Sequence, residues 1–373
     1  MNKIAIIHFN PLERYPPLQN LLAEMSNRED VSVILLTNHT LNSDLSVFET
    51  KSSKIKIIRV TKLSSSQTSL IRCINYFLFY LIAIVRLLLF HPDSILYFET
   101  LSSFPAIVYQ FFIKKTKLYI HYHEYTSAEE YNSGMFLNKF FHRWEKKIYL
   151  KAVWVSHTNH FRMTMFKQDI LPLHLSTTYL LPNYPSQEWK SKPKQFINDP
   201  LLVVYAGAFS LDTMYVREFA NWVVNQQGRV LWDIYSYNMT NEVCNFILGL
   251  NCSWIQLKPG VDYHELPIIL KRYNVGVILY KGHIPNYIYN APNKLFEYLA
   301  CGIDVWFPDV MIGSLDFTTR DTFPKVIPID FETLDKMVFK ELLSREKFII
   351  KESNYFYEVA LEKLIKRMTT NDR

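Results

Sequence analysis

Glycine is scarce in this 373-residue chain, with nine in all. None falls in a GxGxxG or GxxxxGK[ST] sequence, which weakens dinucleotide-dehydrogenase and P-loop readings. HExxH, an EF-hand loop and GxSxG are absent as well, so zinc-peptidase, calcium-loop and serine-hydrolase chemistries lack their usual signatures. The four cysteines, Cys73, Cys244, Cys252 and Cys301, lie far apart. They match neither a CxxC metal spacing nor a small disulfide framework, and reduced thiols are expected. No charged n-region followed by an apolar run and a cleavage site opens the sequence, so a cytoplasmic location is expected. The net charge is +6 and the basic residues are scattered rather than gathered in a stripe. Nucleic acid is therefore not an expected partner, and an anionic membrane surface or a phosphate-bearing substrate accounts for the bias equally well.

What is present is a folded composition, 49% hydrophobic and 20% charged, on a chain long enough for two cores. Strand-like runs at Ile4–Ile7, Val31–Leu36, Ile55–Val60, Ile95–Phe98, Leu118–Ile120 and Val153–Ser156 alternate with helix-like stretches. That alternation predicts parallel pairing with right-handed crossovers, a doubly wound α/β sheet in the first half. Between Pro182 and Pro200 the sequence turns polar and proline-rich, the best place for a linker. A second alternation begins at Leu201–Ala206 and continues through Val230–Tyr235, Trp254–Leu257, Val275–Leu279 and Val305–Phe307. The expected organisation is residues 1–183, a linker at 184–200, a second α/β domain at 201–352, and a C-terminal helix at 353–373 that packs back toward the first domain. Two such halves predict ligand binding in a cleft that faces the carboxyl ends of both sheets.

Leu70–Phe90 is apolar enough to suggest a membrane span, but Arg72, Asn75 and Arg86 leave its uninterrupted part short of about 20 residues. Two readings stay open, a core helix under the first sheet and an interfacial helix resting on lipid with outward aromatics among Tyr76, Phe77, Phe79 and Tyr80.

The most informative segment is YKGHIPNYIYNAPNKLFEYLACGIDVWF, Tyr280–Phe307. Pro292 suits a first helical position and Gly302 a C-terminal cap, which predicts a helix of about ten residues. Asn293, Lys294 and Glu297 share one side of it. A helix N-terminus beside a lysine favours a diphosphate, and Glu297 one turn further in suits both hydroxyls of a ribose. A surface Lys294–Glu297 ion pair is the plainer account of the same spacing.

NAPNKLFEYLACG resembles the donor-site motif of retaining GT-B glycosyltransferases of family 4, with its PxKxxEYxAxG core. The resemblance implies two Rossmann-like domains with parallel sheets across a central cleft, the acceptor on the first and the nucleoside diphosphate sugar on the second. It implies that Glu297 binds the ribose and that Asn293 and Lys294 hold the diphosphate. Lys281 and Tyr289 are placed in the same donor site. Tyr289 stands where the family has the first of two glutamates, and Asp304 where proline is common. VVYAGA, Val203–Ala208, is similar to the first strand and turn of the nucleotide-binding domain, with Gly207 letting backbone approach the phosphate. LKPGVDYHELP, Leu257–Pro267, resembles the stretch that meets the nucleobase, although Pro259 and Gly260 account for a plain turn.

In the first half, HYHEYTSAEEY places His121, His123, Glu124, Glu129 and Glu130 in an expected loop at a sheet's carboxyl edge. It is similar to the family's DxHE stretch, with His121 at the aspartate position. His123, His121 and Glu124 are the catalytic candidates, to orient donor, acceptor or one another. Zinc is the rival account of the histidines, but no third ligand stands at suitable spacing, so no metal and no cofactor are expected. His157 and His160 read as a helix-start pair. The loop His8–Pro17 is expected on the acceptor side, with Glu13 and Arg14 as contacts. The implied reaction transfers a sugar from a nucleoside diphosphate sugar to a hydroxyl of a glycan or lipid-linked glycan, as in bacterial surface-polysaccharide assembly. A sugar-nucleotide 2-epimerase and a noncatalytic sugar-nucleotide binder are the alternatives.

Overall fold

The computed structural model describes residues 1–370 apart from 41–45, 65–66, 171–175, 196, 198, 238, 345–348 and 352. The chain divides into two units, Met1–Asn183 with Tyr357–Arg373, and Tyr184–Phe356. Both are parallel α/β sheets.

In the first unit seven strands, β1 (Asn2–Pro11), β2 (Val31–Thr40), β3 (Ile55–Leu63), β4 (Ser94–Phe98), β5 (Lys117–Tyr122), β6 (Ala152–His157) and β7 (Thr178–Leu180), form one sheet. The order is β3-β2-β1-β4-β5-β6-β7, and every pair is parallel. Central strands buried on both faces need continuous apolar runs. SILYF of β4 is buried at every position. Helices α1 (Pro16–Ser26), α2 (Ser69–Phe90), α3 (Ser103–Phe112), α4 (Ala128–Ser133), α5 (Phe136–Ile148) and α6 (His160–Asp169) make the crossovers. On one sheet face α1 packs with the C-terminal helix Tyr357–Thr369, which buries Leu361, Leu364, Ile365 and Met368 against Ile4, Ile6 and Leu96. On the other, α2, α3, α5 and α6 cover Ala5, Ile7, Ile95 and Ile120.

The second unit has β8 (Leu201–Ala206), β9 (Val230–Tyr235), β10 (Ile255–Lys258), β11 (Val275–Val277), β12 (Asp304–Pro308) and β13 (Val326–Ile329), in the order β10-β9-β8-β11-β12-β13. All are parallel. Its helices include α7 (Val216–Asn225), α8 (Asn241–Gly249), α9 (Leu266–Leu270), α10 (Pro285–Ile288) and α11 (Asn293–Ala300). In each sheet the chain order reverses once, between β1 and β4 and between β8 and β11. The carboxyl ends at such a reversal are where open α/β sheets bind ligands.

Several expectations change. Ala128–Ser133, expected as loop, is the helix α4. Ser127 accepts from the Glu130 amide and Glu130 accepts from the Ser127 amide, a reciprocal cap that satisfies two free N–H groups. The stretch 184–200, expected as linker, belongs to the second unit. Trp189 is buried in its core and the Ser191 amide donates to the Ala300 carbonyl. Residues 196 and 198 of that stretch, and 371–373 of the expected C-terminal segment, lie outside the described residues. Pro292 is the N-cap of α11 in an extended conformation rather than its first residue, and the helix is eight residues long. Gly302 follows it at φ +71°, and a β-carbon there would meet the Lys192 and Pro193 backbone at 2.8–2.9 Å.

Leu364 is fully buried in the first unit's core. Leu364→Ala is expected to cost about 2–5 kcal/mol. Amide exchange checks this, with faster exchange in β4 and no change in β8.

Candidate functional site

The reversal between β8 and β11 carries the first group. β8 ends at Ala206, and Gly207 follows at φ +132°, a conformation that side chains rarely adopt. A β-carbon there would lie 2.6 Å from Lys294 Nζ, so glycine is what lets the lysine pass. Lys294 is the second residue of α11, and no side chain caps that helix. Its first amides are therefore open to an anion. Gly276 on β11 leaves the room that the Tyr298 ring fills, and the Tyr298 hydroxyl accepts from the Ala206 amide at 3.2 Å. Helix and strand end are thus locked together.

Lys294 Nζ stands 3.4 Å from the Tyr280 hydroxyl and 5.4 Å from the Tyr205 ring centre. Burial works against its charge, but Tyr205, Tyr280 and Glu297 outweigh it and hold the ammonium above the usual lysine range. Burial pushes the Glu297 carboxyl up to about 7, against the opposing pull of Lys294 and a hydrogen bond from Tyr263. Asn293 and Lys294 are half-buried and Glu297 is buried. Lys281, expected here, is turned elsewhere, because its ammonium pairs with Glu218 of α7 at 3.2 Å and lies over Tyr215. Tyr289 closes α10, and its backbone packs against Gly313. In the 257–267 stretch, Tyr237 packs on Gly260 and donates to Asp262 at 3.3 Å.

The reversal between β1 and β4 carries the second group. Glu99, directly after β4, has φ +64° and ψ 155°, a strained backbone for a residue with a β-carbon. Its Oε1 accepts from the amides of His123 at 2.6 Å and Glu124 at 3.2 Å. Burial first, then the Glu124 charge, raises the Glu99 carboxyl to about 8. The His123 carbonyl accepts from Arg162 Nη1 at 2.7 Å, and its Nδ1 meets the Asn183 amide nitrogen. Burial and the Arg162 charge hold His123 down to about 3, against the Asn183 hydrogen bond. At neutral pH it is an uncharged imidazole, a donor of one hydrogen bond rather than a strong base. Tyr15 lies 5.0 Å from it, ring to ring, with its hydroxyl unpartnered among the described residues.

His121 is a correction. It lies in β5 rather than a loop, fully buried, with Nδ1 2.9 Å from Ser156 Oγ, which also accepts from Trp154. Burial holds it well below the usual histidine range, and its bond to Ser156 ties the end of β5 to β6. Glu124 is exposed beside His123. Glu13 is a second correction: its Oε1 pairs with Arg59 of β3 at 2.6 Å and accepts from the Phe48 amide, because a charge so little exposed needs a partner. Arg14 is exposed. His157 is buried at the end of β6 and is no helix-start residue. His160 begins α6, with Asn159 as its cap. Among the described residues no group of three or more His, Cys, Asp or Glu is arranged to hold a metal ion.

No protein-family model matches the sequence, and no curated protein matches it. Solved structures do match in fold. Sucrose-phosphate synthase from Thermosynechococcus elongatus superposes with a TM-score of 0.65 at 16% identity, over 92% of this chain and 90% of that one. Anabaena Alr3699/HepE, in complex with UDP and glucose, gives 0.62 at 12% over 99% and 96%. UDP-GlcNAc 2-epimerase from Methanocaldococcus jannaschii gives 0.58 at 10% over 98% and 99%. The two parallel α/β units are the GT-B fold.

The raised carboxyls fix a pH dependence. Glu297 and Glu99 bind protons more tightly in the fold than their ordinary value of 4.5 allows. The stability they contribute is full below about 4.5 and is lost as pH rises through about 7 and 8. Glu297→Gln is expected to flatten the part of that decline between about pH 4.5 and 7 and to leave the remainder, up to about 8, to Glu99, read by urea unfolding across the same range. An unchanged slope contradicts it.

Proposed function

We propose that this chain is a glycosyltransferase that moves a sugar from a nucleoside diphosphate sugar to an acceptor hydroxyl, with retention of configuration and without a metal. The observation that carries it is the ammonium of Lys294, which passes against Gly207 at the uncapped start of α11 with Glu297 one turn on. That arrangement suits a diphosphate followed by a ribose. In the reaction the bond from the anomeric carbon to the diphosphate oxygen breaks and a bond to the acceptor oxygen forms. The acceptor proton goes to the departing phosphate. The negative charge that grows on the diphosphate is what Lys294 and the open amides of α11 stabilise. His123, an uncharged imidazole at neutral pH, orients a sugar hydroxyl rather than taking a proton.

The acceptor we favour is a lipid-linked glycan in bacterial surface-polysaccharide assembly. Two other readings have an observation behind them. A 2-epimerase has the same fold, and Tyr289 in place of an expected glutamate suits a chain that binds donor without transfer. Products separate all three: a glycosylated acceptor with free nucleoside diphosphate, a C2-inverted sugar nucleotide, or bound donor unchanged.

Two variants divide binding from chemistry. Glu297→Ala is expected to lower affinity for nucleoside diphosphate by about 1.5–3 kcal/mol if it accepts both ribose hydroxyls. His123→Ala is expected to bind nucleoside diphosphate normally while transfer drops on the order of a hundredfold. Calorimetric titration followed by a transfer assay reads both. Normal nucleotide affinity in Glu297→Ala sinks the assignment. For metal independence, turnover is expected to persist in excess EDTA, and loss restored by magnesium or manganese reverses that point.

A further inference from the structure

One side of the first unit is apolar and exposed, and the exposed charges on the three helices that form it are positive. Helix α2 is held along a single stripe, with Phe79, Tyr80, Ala83 and Leu87 buried. Its opposite stripe is open to solvent: Leu70 is 72% exposed, Phe77 65% and Leu89 69%. The expected outward aromatics therefore separate, because helical spacing turns Phe79 and Tyr80 into the core and leaves Phe77 outside. By length and composition α2 could cross a membrane, but it packs along one stripe on the sheet of the first unit, and its open stripe runs along that unit's surface.

The face extends beyond α2. Tyr80 of α2, Phe104 of α3 and Phe141 of α5 meet ring to ring beneath it, and the Tyr76 hydroxyl reaches Met135 Sδ just before α5 at 3.6 Å. The three helices form one layer over the same core. At its outer side Phe111 is 77% exposed, Phe112 70% and Phe136 75%. Isolated apolar side chains on a surface are ordinary, but this many on three neighbouring helices mark an interaction site.

The charges identify the occupant. Residues 69–92 and 103–117 contain no aspartate or glutamate, and 134–153 contains one, Glu145. That carboxylate is fully buried and accepts from Tyr97, Tyr122 and Thr100. Arg72, Arg86, Lys114, Lys115, Arg143 and Lys147 are all exposed on these segments, and Lys147 lies 4.4 Å over the Trp144 ring. Phenylalanines flanked by arginine and lysine, on three helices that carry no outward carboxylate, fit a bilayer with anionic headgroups. We infer that the α2–α3–α5 face of the first unit docks on an anionic lipid bilayer, with Phe77, Phe111, Phe112 and Phe136 entering the acyl boundary and the basic residues on headgroup phosphates. The inference stands on the first unit alone and is independent of the donor assignment.

The test is flotation of the full chain with phosphatidylcholine vesicles, with and without phosphatidylglycerol. Binding is expected to require phosphatidylglycerol and to weaken with salt. Phe111→Ser with Phe112→Ser, and separately Arg143→Glu with Lys147→Glu, are each expected to lower partitioning by roughly tenfold or more. All four side chains are exposed, so circular dichroism and Tm are expected to stay unchanged. The inference is overturned if the chain floats with neither vesicle, if both double variants bind like the parent, or if binding ignores phosphatidylglycerol. It is also overturned if, without lipid, the parent forms a dimer that the phenylalanine substitutions dissolve, since a second copy then covers this face.

Discussion

A lysine ammonium cannot be drawn in from water without oxygens to receive it and space to reach them. Lys294 has both, and the loop edge of the second unit follows from its placement. The space comes from Gly207, whose missing β-carbon leaves the passage open. The oxygen comes from Tyr280, with the Tyr205 ring alongside and the Glu297 charge adding to the pull. The position of α11 is fixed in turn by Tyr298, which fills the space over Gly276 and ties the helix to the end of β8. Remove the lysine and a raised carboxyl is left in a site shaped for an anion. Keep it and the edge carries one positive charge beside open amides, which is what a phosphate oxygen needs.

The first unit solves a related problem in another way. There the buried group is a carboxyl, Glu99, and the partners are two backbone amides rather than an ammonium. The strained backbone at Glu99 aims that carboxyl at the segment that carries His123, while Arg162 grips the same segment through its carbonyl. The result is an imidazole kept neutral and held in one orientation, since Asn183 occupies one of its nitrogens. Deeper in the same unit, Glu145 is enclosed by three hydroxyl donors, so each buried carboxyl has its own set of hydrogen-bond donors.

Much of this was legible in the sequence where a long apolar period dominates. Leu201–Ala206 and Val230–Tyr235 are strands with the expected bounds, and the helix expected from Pro292 is α11, shorter and with Pro292 as its cap. Short elements were not: β7 and β13 have three and four residues, too few for a period to show. The helix α4 was missed although Ser127 and Glu130 stand at the spacing of a reciprocal cap, because the histidines beside them suggested a functional loop. Counting ionisable residues also misled at His121 and Glu13, since a tally of charges does not say which ones the fold has already paired. Glu99 had no signal at all, because a positive φ in a residue with a β-carbon comes from its surroundings. Tyr263 lies in the 257–267 stretch and Tyr280 opens the 280–307 segment, but only the fold brings their hydroxyls to Glu297 and Lys294.

The central claim is that the start of α11 and the turn at Gly207 receive the diphosphate of a nucleotide, with Lys294 as its counter-charge. Amide hydrogen exchange with and without UDP measures this at the residues concerned. The account predicts that UDP slows exchange at Gly207, Asn293 and Lys294, and that Lys294→Met removes most of the effect. Protection confined to the first unit, or unaltered exchange at those three amides with UDP bound, would contradict it.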